Sequence, residues 1–397
     1  MACIFCKSKF HDHRSCPVSY SLQKKEEIKA SFKQDYFGQA PNVFIGRHGY
    51  PRIRVGILGT ERYDKHDEPK VWSAEGTPIP EIVGLRSSLV NSFFQTSIKG
   101  FNERFADVAK EVSMAKRPVD VEIGLDKRPQ FRLTFNTDVQ PHGPNVGLKA
   151  AKVIGDVKVD TRVEKAVSAT DLLAGDAVTS LARKGLDEHF LTKAFSMGNF
   201  GIPIERRLVP TRWSITAVDD ILGKQRIDEI KRYAESDCIA YFGGHYGNWY
   251  LVLFFDSVWQ YELFEQYVPT GHGPDVAFET DYEPYGGRKD YVHETAGGYY
   301  ATRIGILENL QQRKRQSSVL AIRIITEEYS APLGVWVVRE AVRKALSSEP
   351  LRFADRELML SYAKQLMKMK FSYDITGLLK QSNLVKSLWG QKRLGEY

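Results

Sequence analysis

Four short stretches gather residue types that could do chemistry. The run CIFCKSKFHDHRSC places Cys3 and Cys6 in a C-x2-C pair, with Cys16 after them and His11 and His13 between. With His11 as the third donor the spacing is C-x2-C-x4-H-x4-C. Two thiolates on one tight turn, then an imidazole and a third thiolate, complete a tetrahedral shell for Zn²⁺. Protein donors fill all four positions, so the site reads as closed and structural, and the metal would fold a segment too short to have its own core. His13 is the alternative imidazole. A second stretch, ERRLVPTRWSITAVDD, sets Arg206, Arg207 and Arg212 around Pro210 and beside Trp213. Guanidinium groups next to an indole suit phosphate contacts combined with base stacking, and equally suit a surface loop with ordinary ion pairs. A third, FETDYEPYGGRKDYVHE, has Glu279, Asp281 and Glu283 at strand spacing, so all three would share one face. Carboxylates so placed repel unless they hold a divalent cation or share protons. They are therefore candidates for metal-dependent nuclease chemistry with a second divalent cation. A solvated acidic loop balanced by Arg288 and Lys289 is the plainer account. Last, GGHYGNWY brings His245 out of a glycine turn. It is a catalytic candidate or an ordinary hydrogen-bonding loop residue.

The elements that must position these groups read as follows. Gln23 to Lys33 is helix-compatible. In APNVFIGRHGYPRIRVGIL, Arg52 and Arg54 alternate with Ile53, Val55 and Ile57, a period-two strand with one wet basic face. A tight loop carrying Arg47, His48 and Tyr50 precedes it. Gly84 to Met114 reads as helical, VDVEIGLD and QFRLTFN as a hairpin, and GDVKVDTRVEK as a further strand. Asp171 to Phe200 returns to helix. CIAYFGG and NWYLVLFFDSVWQYELFEQYVP give buried strands broken near Asp256, and AGGYYATRIGILENLQQRKR gives a helix. SSVLAIRIITEEY is a strand, LGVWVVREAVRKAL runs strand into helix, and Asp355 to Lys370 is an amphipathic helix. The expected fold is α+β: a zinc clip over 1–20, a larger mixed domain with antiparallel strands over 21–279, and a smaller α/β domain over 280–385. A tail over 386–397 completes the chain.

Bulk properties restrict the class. The chain has 397 residues, 42% hydrophobic and 26% charged, which is a globular balance with room for more than one domain. Its formal net charge of +7 permits a polyanionic partner without demanding one. The longest apolar candidate, NWYLVLFFDSVW, is interrupted by Asp256, so no membrane partner is expected. The start lacks the shape of a signal peptide, and an intracellular protein is expected. There is no P-loop, no G-x-G-x-x-G and no nucleophile elbow.

The segment QKRLGEY places Gln391, Leu394 and Tyr397 three residues apart, on one side of a 3₁₀ turn. It resembles the peptide by which replication and repair proteins dock on the sliding clamp (PCNA), although the usual motif carries two adjacent aromatics and this one carries a single one. CIFCKSK…CP, PNVFIGRHGYPRIRVG, VPTRWSITAVDD, ETDYEPYGGRKDY, LGVWVVREAVR and that tail together resemble the archaeal Nre family of DNA-repair proteins. The resemblance covers essentially the whole chain. It implies two conserved regions, an N-terminal zinc-finger-like segment with Zn²⁺ as structural cofactor, and a C-terminal clamp motif. It also implies DNA and the clamp as partners and a cytoplasmic, nucleoid-associated setting in an archaeon. In many members the third metal position is a cysteine, where this chain has His11. The resemblance transfers no catalytic activity. The expected function is a DNA-repair protein that binds DNA and is tethered to the clamp. A metal-dependent nuclease or other nucleotide-acting enzyme, and a non-enzymatic adaptor, stand as alternatives.

Overall fold

The computed structural model describes residues 25–30, 32–101, 104–131, 143–268 and 277–390. These fall into two compact units, residues 1–222 with 331–333, and residues 223–330 with 334–397. In the first unit a short helix α1 (Lys25–Ala30) leads into β1 (Asp35–Ile45) and β2 (Arg52–Thr60). Next come α2 (Pro69–Glu75), α3 (Ile79–Ser88), β3 (Val90–Ser97), α4 (Ala106–Met114), β4 (Val119–Leu125) and β5 (Asn145–Val153). The strands close a barrel in the order β1-β2-β3-β5-β4. Neighbours are antiparallel except β3 and β5, which run parallel. Ile53, Val55 and Ile57 point inward from β2, and Val121, Ile123 and Leu125 from β4. α4 adds Ala109 and Val112 to the same core. Five strands in this order, with a helix between the third and fourth, form the Greek-key barrel of the OB-fold. Helices α5 (Thr161–Ser168), α6 (Ala174–Arg183) and α7 (Glu188–Ser196) follow, and then the long α8 (Thr211–Ile230).

The second unit is built on a six-stranded sheet. Its strands are β6 (Ile239–His245), β7 (Asn248–Phe255), β8 (Gln260–Tyr267), β9 (Glu279–Glu283), β10 (Ser318–Ile325) and the short β11 (Leu351–Arg352). The order is β11-β6-β7-β10-β8-β9, with β10 and β8 parallel and the other pairs antiparallel. Both faces are covered, which is why β7, β8 and β10 read as near-continuous apolar runs. α9 (Ala296–Arg313) and α10 (Val335–Leu346) lie on one face. α11 (Arg356–Phe371), α12 (Thr376–Gln381) and α13 (Asn383–Gly390) close over Leu251, Leu253, Leu320 and Ile322 on the other.

The fold is α+β, with two mixed sheets. Three local expectations are corrected. Gly84–Met114 is not a continuous helix, since β3 interrupts it. Its inward positions include Ser92 and Thr96, both buried, and these polar residues hide the alternation. The valines of GDVKVDTRVEK mimic a strand, but the segment ends in α5, whose first turn is capped by the Asp160 carboxylate accepting from Arg162 N–H at 2.9 Å. The β-branched start of LGVWVVREAVRKAL is helical from Val335, because packing on β6 and β7 outweighs its strand propensity.

Candidate nucleic-acid interface

β2 presents Arg52 and Arg54 outward from the barrel, opposite Ser97 and Gln95 of β3. The next outward position is Gly56, flanked by Phe44 on β1 and Phe93 on β3. Phe44 is 43% exposed. The Arg54 guanidinium lies 4.5 Å from the Phe93 ring centroid, so a cation and an aromatic face share one patch. Above them the β1–β2 loop carries Arg47, His48 and Tyr50 into solvent; its turn passes through Gly49 at φ 83°.

The Arg/Trp stretch comes to this same rim. Ile45 N–H donates to Thr211 Oγ1 at 2.9 Å, which fixes the start of α8 against the end of β1. The Trp213 and Tyr50 rings then lie 5.2 Å apart, and they are 43% and 48% exposed. Ile98 N–H donates to the Pro51 carbonyl at 3.0 Å, and Leu208 N–H to the Ile98 carbonyl at 2.8 Å. Arg207 is therefore held beside the β2–β3 edge, and both Arg207 and Arg212 are exposed. Among the described residues none of Arg47, Arg52, Arg54, Arg207 and Arg212 is committed to an ion pair. Arg206 differs from its neighbours. Its guanidinium donates to the carbonyls of Gly201 (2.8 Å), Val167 (2.8 Å) and Ala169 (3.3 Å), and burial lowers its pKa. It clasps three turns of backbone, so its donors are spent within the unit.

The sequence reading missed a buried ionic knot beside β1. Asp67 accepts from Asn42 Nδ2 at 2.5 Å, lies 3.1 Å from His189 Nε2 and pairs with Arg86. Burial alone would raise the Asp67 carboxyl. The Arg86 and His189 charges and the hydrogen bonds overrule it and hold the group below the usual carboxylate range. On the same helix as His189, Lys193 donates to the carbonyls of Pro41 and Ala115, each at 3.2 Å, and burial lowers its pKa to about 8. These residues are scattered along the chain, and only the single H-x3-K spacing on α7 marks any two of them.

The acidic stretch forms β9, and its carboxylates do share a face. Two of them are spent within the unit. Glu283 is buried and accepts from Arg303 (2.6 Å), Tyr299 Oη (2.5 Å) and Trp259 Nε1 (3.3 Å). Asp281 is buried, accepts from Thr295 N–H and Oγ1 at 2.9 Å and faces Arg288 at 3.1 Å, anchoring the entrance to α9. Glu279 lies exposed at the edge, and its pKa is raised by partial burial and by Glu265, Glu294 and Asp281. Among the described residues no group of three or more His, Cys, Asp or Glu side chains is arranged to hold a metal ion. His245 ends β6, with its ring centroid 3.9 Å from that of Tyr246. The glycines before it make room for protein: a Cβ at Gly243 would meet Ala345 Cα at 2.9 Å, and one at Gly244 would meet the Asn248 carbonyl oxygen at 2.4 Å. The expected zinc ligands Cys3, Cys6, His11 and Cys16 and the clamp residues Gln391, Leu394 and Tyr397 lie outside the described residues. Among the described residues no helix is long and apolar enough to cross a membrane.

Comparison with known proteins matches residues 10–272 to the family described as "Archaeal Nre, N-terminal" and residues 283–397 to "Archaeal Nre, C-terminal". The chain is 36% identical over 329 residues to the DNA repair protein NreA of Haloferax volcanii, covering 79% of this chain and 78% of that one. It is 31% identical to the DNA repair protein NreB of Archaeoglobus fulgidus, covering 97% of each chain. To the DNA repair protein NreA of the same organism it is 34% identical, covering 93% of this chain and 94% of that one. No solved structure matches the chain.

Proposed function

The chain belongs to the archaeal Nre family, and from that premise we propose that it is a DNA-repair protein that grips DNA on the β1–β2–β3 face and rim of its barrel. The observation that carries the reading is the convergence of two separate sequence stretches, GRHGYPRIR and RLVPTRW, on one side of a barrel. The barrel holds them at adjacent positions through Ile45–Thr211 and Leu208–Ile98. That side offers five exposed arginines and exposed aromatic rings, the combination that neutralises phosphates and contacts bases. DNA-repair relatives supply the class of partner. Two further parts of the reading come from sequence spacing: a structural Zn²⁺ on Cys3, Cys6, His11 and Cys16, and docking of Gln391, Leu394 and Tyr397 on the sliding clamp.

Binding of a labelled oligonucleotide, followed by anisotropy across a salt series, tests the reading. The logarithm of affinity should fall linearly with the logarithm of salt. Arg52→Ala, Arg54→Ala, Arg207→Ala and Arg212→Ala should each weaken binding and flatten the slope by roughly 0.7–0.9. Salt-independent binding, or a combined variant that binds like wild type, would refute it.

A further inference from the structure

The open face of the barrel carries more than charge, and we propose that the DNA it takes is single-stranded, its unpaired bases stacked on Phe44 and Phe93 and on the Tyr50–Trp213 pair at the rim. This rests on the DNA-binding reading above and names the substrate class of the same surface.

The argument begins with what a sheet face normally does with phenylalanine. Phe44 stands on an outward position of β1 and remains 43% exposed. The outward Phe93 is only half-buried, although the inward-facing Phe94 beside it packs against the core. Two rings kept partly in water on one face forgo burial, so the core has no need of them there. They flank Gly56 symmetrically across the β1–β2 and β2–β3 ladders. With strands about 4.8 Å apart, the two rings stand roughly 10 Å from each other, too far to stack on one another. Between them lies the Asn91 carboxamide, so close over residue 56 that a Cβ there would meet its Oδ1 at 1.6 Å. The outcome is a shallow trough with an aromatic wall on each side and an amide on its floor.

The cations are set around this trough. Arg52 and Arg54 stand two residues apart on β2, roughly 6.8 Å along the strand, and Arg54 leans on Phe93. Arg207 borders the β3 end, and Arg212 sits beside Trp213 at the rim. A duplex hides its base faces in the stack and is read by an element that enters a groove. Among the described residues this face offers flat rings alternating with guanidinium groups on its strands, and the helix at its rim adds only Arg212 and Trp213 from its first turn to that set. Rings can bind only the faces of bases that are unstacked and unpaired, and stacking of this kind tolerates any sequence.

The test compares a single-stranded oligodeoxynucleotide, its blunt duplex and the oligoribonucleotide of the same sequence, using the full chain at one salt concentration. The single-stranded DNA should bind most tightly. Phe44→Ala and Phe93→Ala should each reduce that affinity roughly five- to a hundred-fold while changing duplex binding little. Phe44→Trp should keep the affinity and show fluorescence quenching on addition of single-stranded DNA, which also demonstrates that the variant is folded. Duplex or RNA bound as tightly as single-stranded DNA would overturn the proposal, as would alanine variants that melt like wild type and bind single strands unchanged. In either case salt-sensitive DNA binding that depends on the arginines would leave the DNA-binding reading standing. Absence of binding to every nucleic acid would remove both.

Discussion

Within a single run of sequence, identical side chains have been given different tasks. Arg206 and Arg207 are neighbours, and composition cannot separate them. Three backbone carbonyls accept from Arg206, whereas Arg207 stands in solvent beside the barrel edge. Arg206→Ala should therefore lower stability by about 1–3 kcal/mol, because hydrogen bonds from a charged donor to part-buried carbonyls are lost. It should leave the salt dependence of DNA binding nearly intact. Arg207→Ala should do the reverse, and denaturation midpoints measured beside salt titrations would separate the two. His66 gives a second case. Its Nδ1 accepts from Asp64 N–H at 2.8 Å, and burial lowers its pKa from 6.5 to about 4. The folded chain then holds this imidazole neutral at pH values where the unfolded chain binds a proton. Stability should fall as pH drops from about 6.5 to about 4, by at most on the order of 3 kcal/mol from this group, and level off below that window. His66→Asn, which can keep the accepting atom, should lose that component of the pH dependence in urea denaturation. Equal pH profiles for the two proteins would show that His66 is not its source.

At the level of elements, legibility followed locality. β7, β8 and β10, with α9 and α11, stand near where apolar runs and helical stripes indicate, because each is decided by its own residues and by burial on both faces. The basic strand and its loop were legible too, as Arg52 and Arg54 alternate with inward Ile53 and Val55. The barrel itself was not. Its closure depends on β4 pairing with β1 and on the parallel β3–β5 contact, both between distant segments. β3 was also masked by Ser92 and Thr96 facing inward, and with it the placement of Phe93. The arginine–tryptophan run suited phosphate and base contacts and an ordinary surface loop equally in sequence, and its place beside the barrel strands could only emerge from the fold. β9 teaches the opposite lesson. Its alternating carboxylates were read correctly as sharing a face, yet Arg303, Tyr299, Trp259 and Thr295 come from elsewhere in the chain to satisfy Asp281 and Glu283. Buried carboxylates need such partners, and sequence spacing does not reveal whether a partner is an arginine or a metal.

For the molecule as a whole, the barrel proposed to grip DNA belongs to the first unit, and the segment that resembles a clamp peptide, residues 391–397, is assigned to the second. A weak grip that tolerates any sequence gains from a separate tether, because a second attachment raises the local concentration of the first partner. Burial of Leu394 and Tyr397 in a pocket is worth roughly 1.5–3 kcal/mol each before ordering costs, and ordering a short segment offsets several kcal/mol. Docking through the tail alone should thus be weak to moderate, and stronger when several equivalent sites on a ring-shaped clamp are open to it. Removal of residues 391–397 should abolish binding to the clamp in calorimetry. The same truncation should leave the melting temperature, the single-stranded DNA affinity and a content of about one zinc per chain unchanged, since the four proposed metal donors and the barrel lie elsewhere in the sequence. Clamp binding that survives the truncation would locate the contact outside the QKRLGEY segment. Loss of zinc or of DNA affinity along with it would mean that the tail supports the fold and is no independent tether.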